Sequence, residues 1–315
     1  MSGQDDLKRA LGELNRVTGL HLTVEEEGPD SGETAERIGM LTEAFSERYD
    51  KAALLRGLLL GQIREDRLYQ AAARFHLPDR IRRTVYLIEC TSQPGGDAER
   101  VVKSMFLSRT SDLFSQLDER RMVLIRAAQF SDTEESAERF AHTIVDMLNA
   151  EAMTAVRVGY DRPAERLTEL AGALRHAAAA LEIGRVFNAG ETVMRYDRLG
   201  VGRLIHDLPE ETCRLYLKEV FGTESPEGLD QETLEIINAF FENNLNISET
   251  ARHLYVHRNT LVYRLEKLTA ATGLDLRNFD GAMKLRLALM ISDSLRARAG
   301  GDVQRNMQPV VSSHL

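Results

Sequence analysis

The chain has 315 residues, of which 43% are hydrophobic and 28% charged, and its formal net charge is -9. These values are ordinary for a soluble globular protein of two or three domains, and the negative charge argues against attraction of the whole surface to nucleic acid. The densest apolar run, Ala52–Leu60, is interrupted by Arg56, which excludes a membrane-spanning segment.

Residues 1–79 are predicted to form a mostly helical region. Asp5–Val17 is amphipathic, Gly19–Glu25 alternates like a strand, and Glu26–Glu33 has the composition of an acidic connector. Thr34–Phe75 carries three successive helical patterns. The expected core residues of these helices are Met40, Leu41, Ala44, Phe45, Leu54, Leu55, Leu58 and Leu59. The helices either form subunit contacts or pack on the next domain, and both alternatives stay open.

Residues 80–222 are predicted to form an α+β domain. The strand patterns are Thr84–Cys90, Asp112–Leu117, Arg121–Ala128, Ala155–Tyr160 and Val193–Tyr196. The helical patterns between them are Ala98–Leu107, Thr133–Asn149 and Glu165–Phe187. The order β-α-β-β-α-β is the ferredoxin-like plan, extended here by one helix and one strand. We therefore expect a mainly antiparallel sheet with helices on one face.

The patterns that follow the last predicted strand are helical, both at the end of the α+β domain and in the all-α C-terminal domain. Gly200–Gly222 contains two short helices, and its glycines Gly200 and Gly202 lack the third glycine of a dinucleotide-binding loop. The segment TESPEG (223–228) is the clearest linker. It precedes a further domain at residues 229–298, which ends in an apolar helix, Gly281–Arg298; residues 299–315 are expected to be disordered. The predicted fold class is α+β multidomain.

Within this part, two short helices are joined by a tight turn. Asn246 precedes Glu249 by three positions, which is a capping-box arrangement and marks a helix start. A second helix begins near Arg258, and three leucines recur along it at i, i+4 and i+7. These are Leu261, Leu265 and Leu268. The pattern indicates that this stripe is buried and that the opposite face of the second helix is exposed.

The exposed face carries side chains that suit a DNA groove. They are His257, Arg258, Asn259, Thr260, Tyr263, Arg264 and Lys267. Asparagine pairs with adenine and arginine with guanine, while lysine, threonine and tyrosine contact phosphate. From Arg252 to Lys267 there are four basic residues and one acidic residue, so the local charge is positive. The sequence therefore predicts a DNA-binding helix-turn-helix, although a helical hairpin whose polar face is only solvated stays possible.

These residues also carry a family resemblance. The strings ETLEIINAFFENN, NISETARHLYVHRNTLVYRLEKL and TGLDLRNFDGAMKLRLAL resemble the C-terminal helix-turn-helix domain of the PucR/CdaR family of bacterial transcriptional regulators. Tyr255 replaces the glycine of a generic helix-turn-helix turn, and we expect its ring to cover the turn from outside. Thr84–Leu208 resembles the GGDEF-like middle domain of the same family, which is related in fold to nucleotide cyclases. The resemblance implies control of a catabolic operon, for purine, amino-acid or sugar-acid use, in response to a small metabolite.

Signals of enzyme chemistry are missing from the sequence. The hairpin that carries the GGDEF motif in a cyclase reads SQLDERRMVLI, with Asp118 and Glu119 but no glycine pair. The eight histidines show no metal-ligand spacing, and there is no GxSxG or Walker motif. We expect no catalytic residue, metal or cofactor. Cys90 and Cys213 are expected to be reduced and packed and, since the N-terminus lacks a signal peptide, the protein is expected to be cytoplasmic.

The resulting hypothesis is a sequence-specific regulator that binds double-stranded DNA as a homodimer or higher homo-oligomer. An unknown small-molecule effector would act through the N-terminal and middle domains. One alternative is a nucleotide-binding sensor with a vestigial cyclase-like domain. Another is a scaffold whose Arg258–Lys267 face binds a protein partner.

Overall fold

A computed structural model of the chain describes residues 2–18, 22–23, 31–91, 97–107, 111–128, 132–223, 226 and 229–306. These residues fall into two compact units. The first comprises residues 1–178 and 192–195, and the second comprises residues 179–191 and 196–315. Along the described ranges, no helix combines the length and the apolar character needed to cross a bilayer.

The first unit begins with three helices, α1 (Ser2–Thr18), α2 (Ser31–Leu59) and α3 (Glu65–Arg74), and α1 packs on α2. The first two helical patterns after Thr34 are one continuous helix, and it starts inside the predicted connector. Most of the predicted strand Gly19–Glu25 lies outside the described residues, but Leu22 and Thr23 are described and are not in a strand. The amide and carbonyl of Leu22 are both bonded by the side chain of Asn15, at 2.9 and 2.8 Å.

Two of the eight expected core residues of α2 are exposed. The four leucines at its C-terminal end are buried as predicted: Leu54, Leu55, Leu58 and Leu59. Met40 and Leu41 are instead 67% and 62% exposed, so their prediction is wrong. A long helix buries only the stretch that faces a partner, and apolar spacing does not tell which turns have one. The side chains of Ala44 and Phe45 lie outside the described part of the chain.

The centre of the first unit is a five-stranded sheet. Its strands are β1 (Arg83–Cys90), β2 (Leu113–Gln116), β3 (Arg121–Ala127), β4 (Val156–Tyr160) and β5 (Val193–Arg195). Their spatial order is β2-β3-β1-β4-β5. All neighbouring pairs are antiparallel except β4 and β5, which are parallel. The first four strands thus have the predicted ferredoxin-like arrangement, and β5 is the predicted extension.

The central strand β1 is buried on both faces, so the face opposite the expected helices is covered as well. The helices α4 (Asp97–Phe106) and α5 (Glu134–Glu151) share one hydrophobic cluster with the β1 side chains Tyr86 and Ile88. The alternate residues Val85 and Leu87 point to the other face and are 1% and 2% exposed. A strand buried on both faces is apolar throughout rather than alternating, as TVYLI is.

The second unit is all-helical. It contains the end of α6 (Leu170–Phe187) and six further helices: α7 (Val201–Asp207), α8 (Glu210–Phe221), α9 (Gln231–Glu242), α10 (Ile247–His253), α11 (Arg258–Thr272) and α12 (Phe279–Asn306). α12 continues past Arg298, the predicted end of the last helix, as far as Asn306. Residues 307–315 lie outside the described part of the chain.

The helix α12 takes part in two hydrophobic clusters of this unit. Leu285 and Leu289 belong to the cluster formed with α9, α10 and α11. Ala288 and Ile291 belong to the cluster formed with α7 and α8. The Arg298 guanidinium also donates hydrogen bonds to the carbonyl oxygens of Ile205, His206 and Leu208, where α7 ends. The orphan carbonyls at that helix end are thereby satisfied.

The glycines of the GVG string have structural roles. Gly200 precedes α7 with a φ of 54°, a conformation that favours glycine. A Cβ on Gly202 would lie 2.9 Å from Ile183 and 3.0 Å from Phe187, both on α6. Gly202 therefore allows close contact between two helices, which agrees with the prediction that the string is not a dinucleotide loop.

Candidate nucleic-acid interface

The first helix of the predicted pair, α10, is closed at both ends by local hydrogen bonds. The Asn246 side chain accepts from the amides of Ser248 and Glu249, at 3.0 and 3.2 Å, as the capping signal predicts. At the other end the Tyr255 amide donates to the Arg252 carbonyl, and the Val256 amide donates to the Ala251 carbonyl at 2.9 Å. This pair of bonds is a Schellman motif, which ends the helix within one residue.

Tyr255 occupies the left-handed position of this motif. Its φ is 54°, where glycine is the usual residue. Its side chain is 97% exposed, so the ring does not cover the turn and that expectation is wrong. The backbone bonds of the motif alone shape the turn, and the ring projects into solvent.

The second helix, α11, is held by its leucine stripe. Leu261, Leu265 and Leu268 are 0%, 1% and 4% exposed, as predicted. They share a cluster with Phe240 of α9 and Ala251 of α10. The small Ala251 is buried between the helices, where a larger side chain would hold them further apart. Packing of this kind fixes which face of α11 is presented to solvent.

The predicted site residues lie on the outward face of α11. Five are exposed around its start and along its length: Arg258, Asn259, Thr260, Tyr263 and Lys267. His257 is also exposed and caps the helix, because its Nδ1 accepts from the Asn259 amide at 3.2 Å. Arg264 is half-buried and pairs with Glu232 of α9. The structure thus brings all seven residues onto one helix, and their contacts with DNA stay a prediction.

The basic groups near this face are not equally available. Arg252 pairs with Glu249, and Arg264 pairs with Glu232. Within the described residues, Arg258 and Lys267 make no ion pair. Asp230, which caps α9, has its pKa lowered by hydrogen bonds from Thr233 and by the positive charges of Lys267 and Arg264. Acidic groups therefore lie near the later turns of α11, and its first turn offers the least compensated positive charge.

In the hairpin between β2 and β3, the carboxylate of Asp118 is bound by neighbouring residues of the same turn. Asp118 accepts hydrogen bonds from the amides of Arg120 and Arg121, each at 2.9 Å, and pairs with the Arg121 guanidinium. Desolvation raises the pKa of Asp118, but these bonds and charges together lower it. The Asp118 carboxylate is occupied by contacts within its own turn, which favours the prediction that the middle domain is non-catalytic. The described side chains contain no cluster of three or more potential metal ligands.

The first unit also contains a cavity of about 580 Å³ at the opposite end of β3 from that hairpin. β3 is seven residues long, so roughly 20 Å separate the two at ~3.3 Å per residue. Aromatic rings of Tyr86, Phe140 and Tyr160 line the cavity together with Arg126 and Arg195. No sequence motif marks this cavity, because its residues come from four strands, one helix and the loops beside them.

The ring of Phe140 holds Arg126 at the edge of this cavity. The guanidinium carbon lies 3.9 Å from the ring centroid, which is a cation–π contact. Arg126 is half-buried and makes no ion pair with any described residue. Arg195 is 8% exposed, and its Nη1 donates to Glu134 at 2.9 Å. The volume lies within the range of small-molecule sites, which combine apolar walls with a few polar groups.

The geometry of the second unit defines a helix-turn-helix domain, a class of DNA-binding domain, and comparison with known proteins agrees. Residues 233–291 match the family model of the PucR C-terminal helix-turn-helix domain. Residues 60–183 match the GGDEF-like domain. The chain therefore belongs to the PucR/CdaR family of transcriptional regulators, as the resemblance implies.

Three relatives are similar over different parts of the chain. Identity is 30% to the purine catabolism regulatory protein of Bacillus subtilis (strain 168), over 53% of this chain and 32% of that protein. Identity is 42% to the carbohydrate diacid regulator of Escherichia coli (strain K12), over 21% of this chain and 16% of that protein. It is 23% to the proline-responsive transcriptional activator PutR of Bacillus subtilis (strain 168), over 54% of this chain and 43% of that protein. The chain thus matches less than half the length of each relative. These relatives are transcriptional regulators and not enzymes.

Proposed function

We propose that this protein is a sequence-specific DNA-binding regulator of a catabolic operon. The outward face of α11 is the main support for this proposal, because Arg258, Asn259 and Tyr263 are exposed on a helix whose leucines are buried. Residues 229–298 would bind DNA, and residues 1–79 and 80–222 would oligomerise or receive a signal. We propose these three domain boundaries together with the function.

Groove dimensions support this assignment. An α-helix fits the major groove, where arginine and asparagine read guanine and adenine through paired hydrogen bonds. A single helix of 15 residues buries little surface, and strong specific binding requires more. We therefore propose a homodimer or higher homo-oligomer whose helix-turn-helix domains occupy DNA half-sites ~34 Å apart, or a multiple of that distance.

A binding titration with the DNA upstream of its own gene tests this function. We expect the full chain to bind that DNA at least ~10³-fold more tightly than a scrambled duplex of equal length. The affinity is expected to fall steeply as salt rises, because bound lysines and arginines release counterions. Equal affinity for both duplexes across all salt concentrations would contradict specific binding.

We further propose that the cavity of the first unit receives the effector. Its aromatic walls and the guanidinium of Arg126 suit a small polar metabolite with an acidic or carbonyl group. The names of the three relatives suggest purines, sugar diacids and proline as probes. Direct signalling without any ligand is the alternative.

The effector proposal is tested by measuring affinity for the upstream DNA with each probe present. We expect one probe to change it by ~5–150-fold, the usual range of allosteric coupling. Arg126→Gln should bind DNA like the wild type and lose this response. Arg100→Gln removes the same charge from α4, outside the cavity lining, and should keep it. An unchanged response in Arg126→Gln would place the effector elsewhere.

A further inference from the structure

The tyrosine at the turn between α10 and α11 costs stability without contributing to packing. A non-glycine residue in the left-handed region is strained, and glycine would avoid the strain at Tyr255. The turn itself needs only backbone groups, since both bonds of the Schellman motif join amides to carbonyls. The phenol is 97% exposed and makes no hydrogen bond within the described residues. The fold therefore gives no reason for an aromatic residue here.

Strain and exposure alone do not assign a role. Met153 combines them too, with a φ of 47° and 92% exposure after α5. The neighbours of Tyr255 distinguish it. It stands two residues before His257, the N-cap of α11, and three before the unpaired guanidinium of Arg258. The first turn of α11 also presents backbone amides, and its helix dipole favours negative charge there. Tyr255 thus borders the part of the surface best suited to a phosphate.

We propose that the hydroxyl of Tyr255 donates a hydrogen bond to a phosphate oxygen of the DNA backbone, beside the groove that α11 enters. This inference rests on the proposed function. A phenol donates well to phosphate but carries no charge, so its contact releases no counterion. Phosphate contacts fix position and do not read bases. Tyr255 is therefore a positioning residue for the recognition helix, and its loss should weaken binding equally on all sequences.

Two variants of the full chain separate this role from a structural one. Y255G removes the strain and the phenol, so its melting temperature should rise while its affinity for the upstream DNA falls about tenfold, the loss expected for a hydrogen bond to a charged group. Y255F keeps the backbone and the ring, and it should lose affinity to a similar extent. Both should keep the wild-type slope of affinity against salt. M153G relieves the same kind of strain in the first unit and should bind DNA like the wild type.

Several outcomes would overturn the proposal. Wild-type affinity in Y255G or Y255F would show that the hydroxyl contacts no phosphate. A lower melting temperature in Y255G would show that the ring supports the fold. A loss of affinity confined to the upstream sequence, with non-specific binding intact, would indicate contact with a base. If the wild type itself fails to bind the upstream DNA, the proposed function fails together with this inference.

Discussion

Replacing Leu261 with alanine is expected to destabilise the second unit by roughly 2–5 kcal/mol and to abolish DNA binding at 37 °C. Leu261 is 0% exposed and lies within the cluster that joins α9, α10, α11 and α12. Truncation leaves a cavity that these helices cannot all close, because each is fixed by its other contacts. Far-UV circular dichroism during denaturant unfolding measures the loss, since the chain has no tryptophan for fluorescence.

Leu204 provides the matched control. It lies on α7 in the same unit and is 69% exposed, so Leu204→Ala should change the free energy of unfolding by under ~0.5 kcal/mol. Both variants remove the same atoms, and only burial differs. An early transition in Leu204→Ala together with a wild-type transition in Leu261→Ala would mean that the assignment of inner and outer faces is reversed.

Replacing Arg258 with alanine is expected to weaken binding of the upstream DNA by ~10–100-fold while leaving thermal stability nearly unchanged. Arg258 is exposed and makes no ion pair with a described residue, so its replacement breaks no ion pair within the described part of the chain. A guanidinium that pairs with a guanine is worth ~1–3 kcal/mol of discrimination, and loss of its charge also flattens the salt dependence. Titrations at three salt concentrations measure both effects.

Two further variants identify what Arg258 supplies. Arg258→Lys keeps the charge but not the planar pair of donors, so it should retain the salt dependence and lose the preference for the upstream sequence. Arg296→Ala removes an equal charge from the exposed side of α12 and should bind DNA like the wild type. If Arg296→Ala loses as much affinity as Arg258→Ala, general electrostatic attraction accounts for the binding.

Local signals account for the elements that could be predicted from the sequence. A side-chain cap and a short apolar period define α10 and α11, and short apolar runs bounded by turns define the strands. The hydrogen bonds of Asn246 and the pairing of β1, β3 and β4 agree with those signals. In these segments the residues that determine the structure are neighbours in the sequence.

The features that escaped prediction depend on distant partners. The exposure of Met40 and Leu41 depends on which turns of α2 have a neighbour, and their spacing carries no information on that. The exposure of Tyr255 follows from a backbone conformation normally signalled by glycine. The cavity beside Arg126 combines side chains from separate strands, one helix and the loops beside them. In each case the local pattern is compatible with several environments, and only the packed structure selects one.

The position of α12 has a mechanical consequence for the whole second unit. α12 supplies side chains to the cluster of α9, α10 and α11 and to the cluster of α7 and α8. Arg298 also links α12 to the end of α7 by hydrogen bonds. A rigid helix that is held at both clusters moves as one body. We therefore expect a displacement of α7 to shift the helix surface on which the leucines of α11 pack.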